Sequence, residues 1–175
     1  MNPSRPRVAH RLLNQRGVTA LEFALVMPLL LLATLGAIDI GMETMMDASL
    51  ENGAAQAARQ GVVVGAPPAG ETRDQQIYAA VWQQVGFWLQ SQSQLTMSSY
   101  TYPSYTALSQ DPCLQSGYTG ACTGSSGSGG FGSIVRYQVT VTRPTFTGVL
   151  GLLKITSYTL QRTVIVQNEP ESIPS

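Results

Sequence analysis

Residues 16–62 read RGVTALEFALVMPLLLLATLGAIDIGMETMMDASLENGAAQAARQGV, an apolar run that passes without a break into an amphipathic one. Residues 23–38 carry no charge and span about 24 Å as a helix. Extended back to Val18 across Glu22, the run can cross about 30 Å of hydrocarbon. A carboxylate inside such a run costs about 2.5–3.5 kcal/mol on insertion, so Glu22 is expected to have a partner and a task. Pro28 removes one helical hydrogen bond and marks an expected kink, which membrane helices tolerate.

Working outward toward the start, Arg5, Arg7, Arg11 and Arg16, with His10, precede every acid in the chain. The whole chain has 10 Lys+Arg and 10 Asp+Glu, a formal net charge of zero. That balance conceals a basic leader followed by an acidic remainder. A basic start running into an apolar stretch is a targeting pattern. Positive charge stays on the cytoplasmic side, so everything beyond about residue 40 is expected to be exported. A cleaved secretory signal has an apolar core of only about 7–15 residues, and this run is longer and flows into more helix. A plain signal anchor leaves Glu22 unexplained.

Toward the other end, Asp39, Glu43, Asp47 and Glu51 recur every four residues along one slowly rotating helical face. Like charges at this spacing mildly destabilise a helix. The stripe therefore reads as a solvated face, with a docking stripe for a basic partner helix as the alternative. Met42, Met45, Met46, Leu50, Ala54, Ala57 and Ala58 supply the apolar side. Arg59 and Gly61 suit a helix end.

The remaining residues, 62–175, are enough for a small core. Pro67-Pro68-Ala69-Gly70 reads as a linker and residues 71–89 as an amphipathic helix, with Ile77, Val81, Trp82, Val85 and Trp88 near helical spacing. Both tryptophans read as core or rim. Residues 95–105 read as a strand. Residues 134–142 alternate Val135, Tyr137, Val139 and Val141 against Arg136, Gln138, Thr140 and Thr142, the pattern of a half-buried strand. Residues 154–167 behave similarly through Tyr158, Leu160, Val164 and Val166. Export to an oxidising compartment favours a Cys113–Cys122 disulfide. The Gly/Ser-rich stretch 123–133 reads as a flexible loop. The expectation is an α+β chain: a basic leader (1–17), a long helix, apolar then amphipathic (18–61), and an exported domain (62–175) with a second helix and an antiparallel sheet.

Much familiar chemistry is excluded. His10, the sole histidine, lies in the leader, which argues against Ser-His-Asp or Cys-His catalysis and His-ligated metals in the exported part. Lys154 is the sole lysine, and GSSGSGG lacks the lysine of a phosphate loop. Only 11% of residues are charged, with no basic excess, which argues against nucleic-acid binding. No catalytic residue, metal site or cofactor is expected.

The segment Arg16-Gly17-Val18-Thr19-Ala20-Leu21-Glu22-Phe23 resembles the class III signal of type IV pilin-like proteins. The resemblance implies cleavage between Gly17 and Val18 by a prepilin peptidase, leaving Glu22 as mature residue five. Its carboxylate would then pair with the new amine of Val18, in the same or a neighbouring subunit. Arg16-Gly17, Glu22-Phe23-Ala24, Pro28-Leu29-Leu30, Gly41 and Ala57-Ala58-Arg59-Gln60-Gly61 resemble the TadE-like family of pilus assembly proteins more closely, and the C-terminal VTVTRPTFTGVLGLLKITSYTLQRTVIVQNEP does so more loosely. That resemblance implies a minor pilin-like component of the tight-adherence (type IVc, Flp) pilus. Its partners would be the prepilin peptidase, other minor and major pilins and an inner-membrane assembly platform. It would sit in the bacterial inner membrane with its N-terminus cytoplasmic, its domain periplasmic or carried out on the fibre. A type II secretion pseudopilin is a neighbouring reading. From other classes stand an inner-membrane-anchored periplasmic binding module that never enters a filament, and a secreted enzyme.

Overall fold

The computed structural model describes residues 12–62, 69–115, 118 and 120–168, with the side chains of the first helix described from residue 19. Most of the basic leader and the Pro67-Pro68 pair lie outside the described residues.

Helix α1 (Leu12–Val62) runs unbroken for 51 residues with Pro28 inside it. Its two halves have opposite surroundings. In the first, Leu21, Phe23, Leu25, Leu29 and Leu30 are all exposed. In the second, Met46, Leu50, Ala54 and Ala57 are buried along one face at helical spacing. Gly61 suggests a helix cap by sequence, but the helix continues through it to Val62. A Cβ at Gly61 would lie 3.1 Å from Val166 Cγ2 and 3.4 Å from the Tyr137 ring, so glycine here lets the helix press on the sheet.

Helix α2 (Arg73–Val85) starts at a capping box: Gln75 N–H donates to Thr72 Oγ1, and Thr72 N–H donates to Gln75 Oε1 at 2.8 Å. It is shorter than its periodicity suggests, because Gly86–Trp88 tighten into a 3-10 turn. Ile77, Val81 and Val85 are fully buried against α1 and the sheet.

Four strands, β1 (Leu95–Tyr102), β2 (Ser125–Ser126), β3 (Ile134–Pro144) and β4 (Ser157–Gln167), form a sheet in the order β2-β1-β3-β4, antiparallel throughout. The alternation in β3 holds for its apolar face, but the strand is more than half-buried, since Ile134 and Arg136 on the other face are buried too. Val135, Tyr137, Val139 and Val141 are fully buried beneath the helices, flanked by Leu95 on β1 and Val166 on β4. Each such side chain contributes roughly 1.5–3 kcal/mol on burial, so this face carries most of the stability. The architecture is α+β, two layers with one long helix projecting beyond them.

Three local readings change. Strand β1 stops at Tyr102, because Pro103 has no N–H for the ladder. Strand β4 begins at Ser157, not at Lys154, which adopts a left-handed φ of 63° closing the preceding turn. The Gly/Ser stretch is not simply a loop: Ser125 and Ser126 pair with β1, and buried Asn168 donates from Nδ2 to Ser128 O at 3.0 Å and Gly130 O at 2.8 Å.

Candidate functional site

The first part of the site is the projecting half of α1. The apolar helix Thr19–Val62 contains an eighteen-residue window of mean hydropathy 2.2 that is only 6% buried. Its length and composition fit a single-pass membrane anchor. Glu22 is exposed on this half. Gly17 and Val18 fall within the helical backbone of α1, their side chains outside the description. Pro28 lies inside α1, and the helical assignment continues through it.

The second part is the seat where the helix meets the domain, and here the acidic stripe turns inward. Asp39 is fully buried. It accepts from Thr147 N–H at 2.8 Å and from the Thr147 hydroxyl at 2.5 Å. Asp47 pairs with Arg162 of β4 at 2.5 Å; both side chains are about a third exposed, so water screens the pair. Glu43 is half-buried, and Glu51 alone is exposed. Burial, then the charges of Glu43 and Asp39, push the Tyr158 hydroxyl above its ordinary pKa. The solvated-face reading therefore fails for Asp39 and Asp47, which bond the chain's own turn and strand β4.

Aromatic groups brace the same region. Trp88 donates from Nε1 to Ser49 Oγ at 3.0 Å and meets Phe146 edge-on. Arg143 stacks over the Phe146 ring at 3.4 Å and donates to the Trp88 carbonyl at 2.7 Å. Trp82 stacks on Tyr78. Both tryptophans thus pack at the rim of the domain.

The third part lies on the opposite face of the sheet. Cys113 and Cys122 are joined by a disulfide, with a Cα–Cα distance of 5.3 Å. Asp111 is buried at the start of this loop. It accepts from the Tyr102 hydroxyl, from Cys113 N–H at 2.9 Å and from Thr123 N–H at 3.4 Å. Desolvation pushes the Asp111 carboxyl up, but these donors, Tyr102 first, outweigh it and hold its pKa below the ordinary value. The same burial, with the bond to Asp111, pushes Tyr102 up to about 12. Arg136, also buried, donates from Nη2 to Cys122 Sγ at 3.0 Å and lies 5.1 Å from the Tyr100 ring centre.

Asp111, Cys113 and Cys122 bring potential metal-binding atoms within 4.8 Å of one another, but the two sulfurs are bonded to each other and offer no thiolate. Between the loop and the sheet lies an open concavity of about 610 Å³, lined by Tyr100, Tyr118, Arg136, Gln138 and Gln161 among others.

Sequence reasoning missed Thr147, Arg162 and Tyr102 as partners. Asp39 and Thr147 are 108 residues apart, and no local pattern links them. Asp111 did carry a signal: an Asp before Pro-Cys is a natural cap, and its carboxylate caps the turn Pro112–Leu114.

No curated protein and no solved structure matches the chain. A family does match, over the apolar half of α1 and the part seated on the domain, from Gly17 to within the last turn of the helix. Residues 17–59 match the model of the TadE-like protein family.

Proposed function

We propose that this chain is a minor pilin-like component of tight-adherence pilus assembly, processed by a prepilin peptidase between Gly17 and Val18. The observation that carries the reading is the coincidence of the family match with the sequence signal. The match begins at Gly17 itself, and Glu22 follows on an exposed apolar helix. The role is structural. Cleavage creates an ammonium on Val18, and the Glu22 carboxylate, one turn along, neutralises it within the membrane or at a neighbouring helix. The apolar half of α1 holds the protein in the inner membrane until it packs among other pilin helices. The domain of about one hundred residues beyond it is the part that pilins and the assembly platform would meet, on the periplasmic side or on the fibre.

The test is the intact mass and N-terminal sequence of the membrane-bound protein, from cells with and without the prepilin peptidase. A peptidase-dependent start at Val18 is expected. A start at Met1 or Asn2 in both strains overturns processing and leaves an anchored periplasmic module; a start beyond Ile40 means a conventional signal peptide. Recovery of the processed protein in sheared fibres then separates a filament component from a permanent anchor.

A further inference from the structure

We propose that the turn joining β3 to β4 is a second membrane contact, inserting its leucines into the lipid surface beside α1. The inference rests on the reading of α1 as a membrane anchor. The 3-10 turn Val149–Leu153 reads VLGLL, without a charge. Leu152 is 72% exposed, Leu153 70% and Ile155 43%. Exposed leucines of this kind are costly facing water and stable facing acyl chains.

Position identifies the occupant. The turn lies against Leu32, Ala33, Gly36 and Ala37, within the last turns of the uncharged run of α1. Leu32 lies seven residues before Asp39, about 10 Å along the helix axis. Any placement of α1 that puts its uncharged run in hydrocarbon carries the turn to the same depth. The groove between turn and helix, about 600 Å³, is lined by apolar residues alone, so lipid chains suit it.

The backbone of the turn suits lipid as well. Gly148 and Lys154 both take left-handed φ, 71° and 63°, and close the turn at its two ends. Gly151 N–H donates to Gly148 O, Lys154 N–H to Gly151 O and Ile155 N–H to Leu150 O, at 3.0–3.1 Å. Val149 N–H donates to Thr147 Oγ1 at 3.3 Å. These donors are satisfied inside the protein, as a low-dielectric medium requires. At the base of the turn, Thr147 engages Asp39, the first acid after the uncharged run, so that carboxylate is hydrogen-bonded where the helix leaves hydrocarbon. Lys154 is exposed beside the leucines and long enough to reach lipid phosphates.

The experiment uses the full chain in vesicles of phosphatidylethanolamine and phosphatidylglycerol, labelled with an environment-sensitive fluorophore at Leu152→Cys. The native cysteines are bonded to each other, so the new thiol is the one that reacts. Leu29→Cys, on the uncharged run, and Gln167→Cys, at the far end of the sheet, are the references. The label at 152 is expected to lose most of its fluorescence to nitroxide-bearing lipids and little to aqueous iodide, as at 29 and opposite to 167. Quenching at 152 by iodide alone, with 29 still quenched by lipid, overturns the proposal and spares the anchor. Protection from both quenchers means that a protein surface covers the turn, and also overturns it. Iodide quenching at 29 defeats the anchor reading and this proposal with it. All three substituted side chains are exposed, so the variants retain the fold.

Discussion

Two single residues hold the long helix to its domain by opposite means. Gly61 does so by lacking a side chain. A Cβ 3.1 Å from Val166 is tighter than normal packing allows. Replacing Gly61 with Val forces a branched side chain into that space and is expected to cost about 1–3 kcal/mol, against roughly 1 kcal/mol at most from better helix propensity. A denaturant titration in detergent checks it, as a lower midpoint at unchanged slope. Asp39 acts through its carboxylate. Asp39→Ala leaves the Thr147 N–H and hydroxyl without their acceptor and is expected to cost about 1–3 kcal/mol. The clearest readout is local: amide exchange of residues 145–153 should quicken while that of β3 at Val139 stays slow. Asp39 was visible in the sequence as an acid in a stripe, but its direction was not. A helical repeat of four gives a face and says nothing of what lies opposite.

Among elements, the two faces of the sheet are built differently. The helix-covered face is apolar and continuous, whereas the other is held by a small group of Tyr102, Leu108 and Ile134 together with the disulfide loop. Closing a loop with a sequence separation of 9 contributes about 2–3 kcal/mol by the chain-entropy argument. The paired Cys113→Ser and Cys122→Ser variant should lose about that much stability. The loss should be confined: far-ultraviolet circular dichroism is expected to be unchanged, while exchange at residues 111–124 quickens. If the helices melted as well, the two faces would be one cooperative unit after all. The strands of this layer were legible because β3 alternates strictly. The pairing of Ser125 and Ser126 was not, since two serines amid glycines carry no period.

For the whole molecule, the ionisable groups set the limits of pH. Burial, with the charge of Asp74 adding to it, pushes Tyr137 up to about 12, and Tyr102 also stands at about 12. A tyrosine raised in this way is neutral in the fold after it has ionised in the unfolded chain. Stability is therefore full below about pH 10 and falls as pH rises toward 12. Tyrosinate absorbance should rise in two stages, the second coinciding with loss of tertiary structure. Asp111 works in the reverse sense. Its lowered pKa contributes stability above the ordinary carboxylate value of about 4, lost as the solution is acidified through the folded value. Tyr102→Phe removes one donor from Asp111 and should move acid unfolding to higher pH.

Read from sequence alone were α1, α2, β1, β3 and β4 in their order, the α+β class, the projecting apolar helix and the disulfide; the short β2 was not. The features so read rest on short-range patterns of period 3.6 or 2, on run length and on compartment. The tertiary structure alone decided which way the acidic stripe faces, why Gly61 is glycine, and that the Leu-Gly-Leu-Leu turn lies beside the last turns of the uncharged run. Each depends on residues far apart in the chain, Asp39 with Thr147, Asp47 with Arg162 and Gly61 with Val166. Local periodicity gives the direction of a side chain relative to its own element. What stands opposite is set only when the sheet register and the helix seat close together.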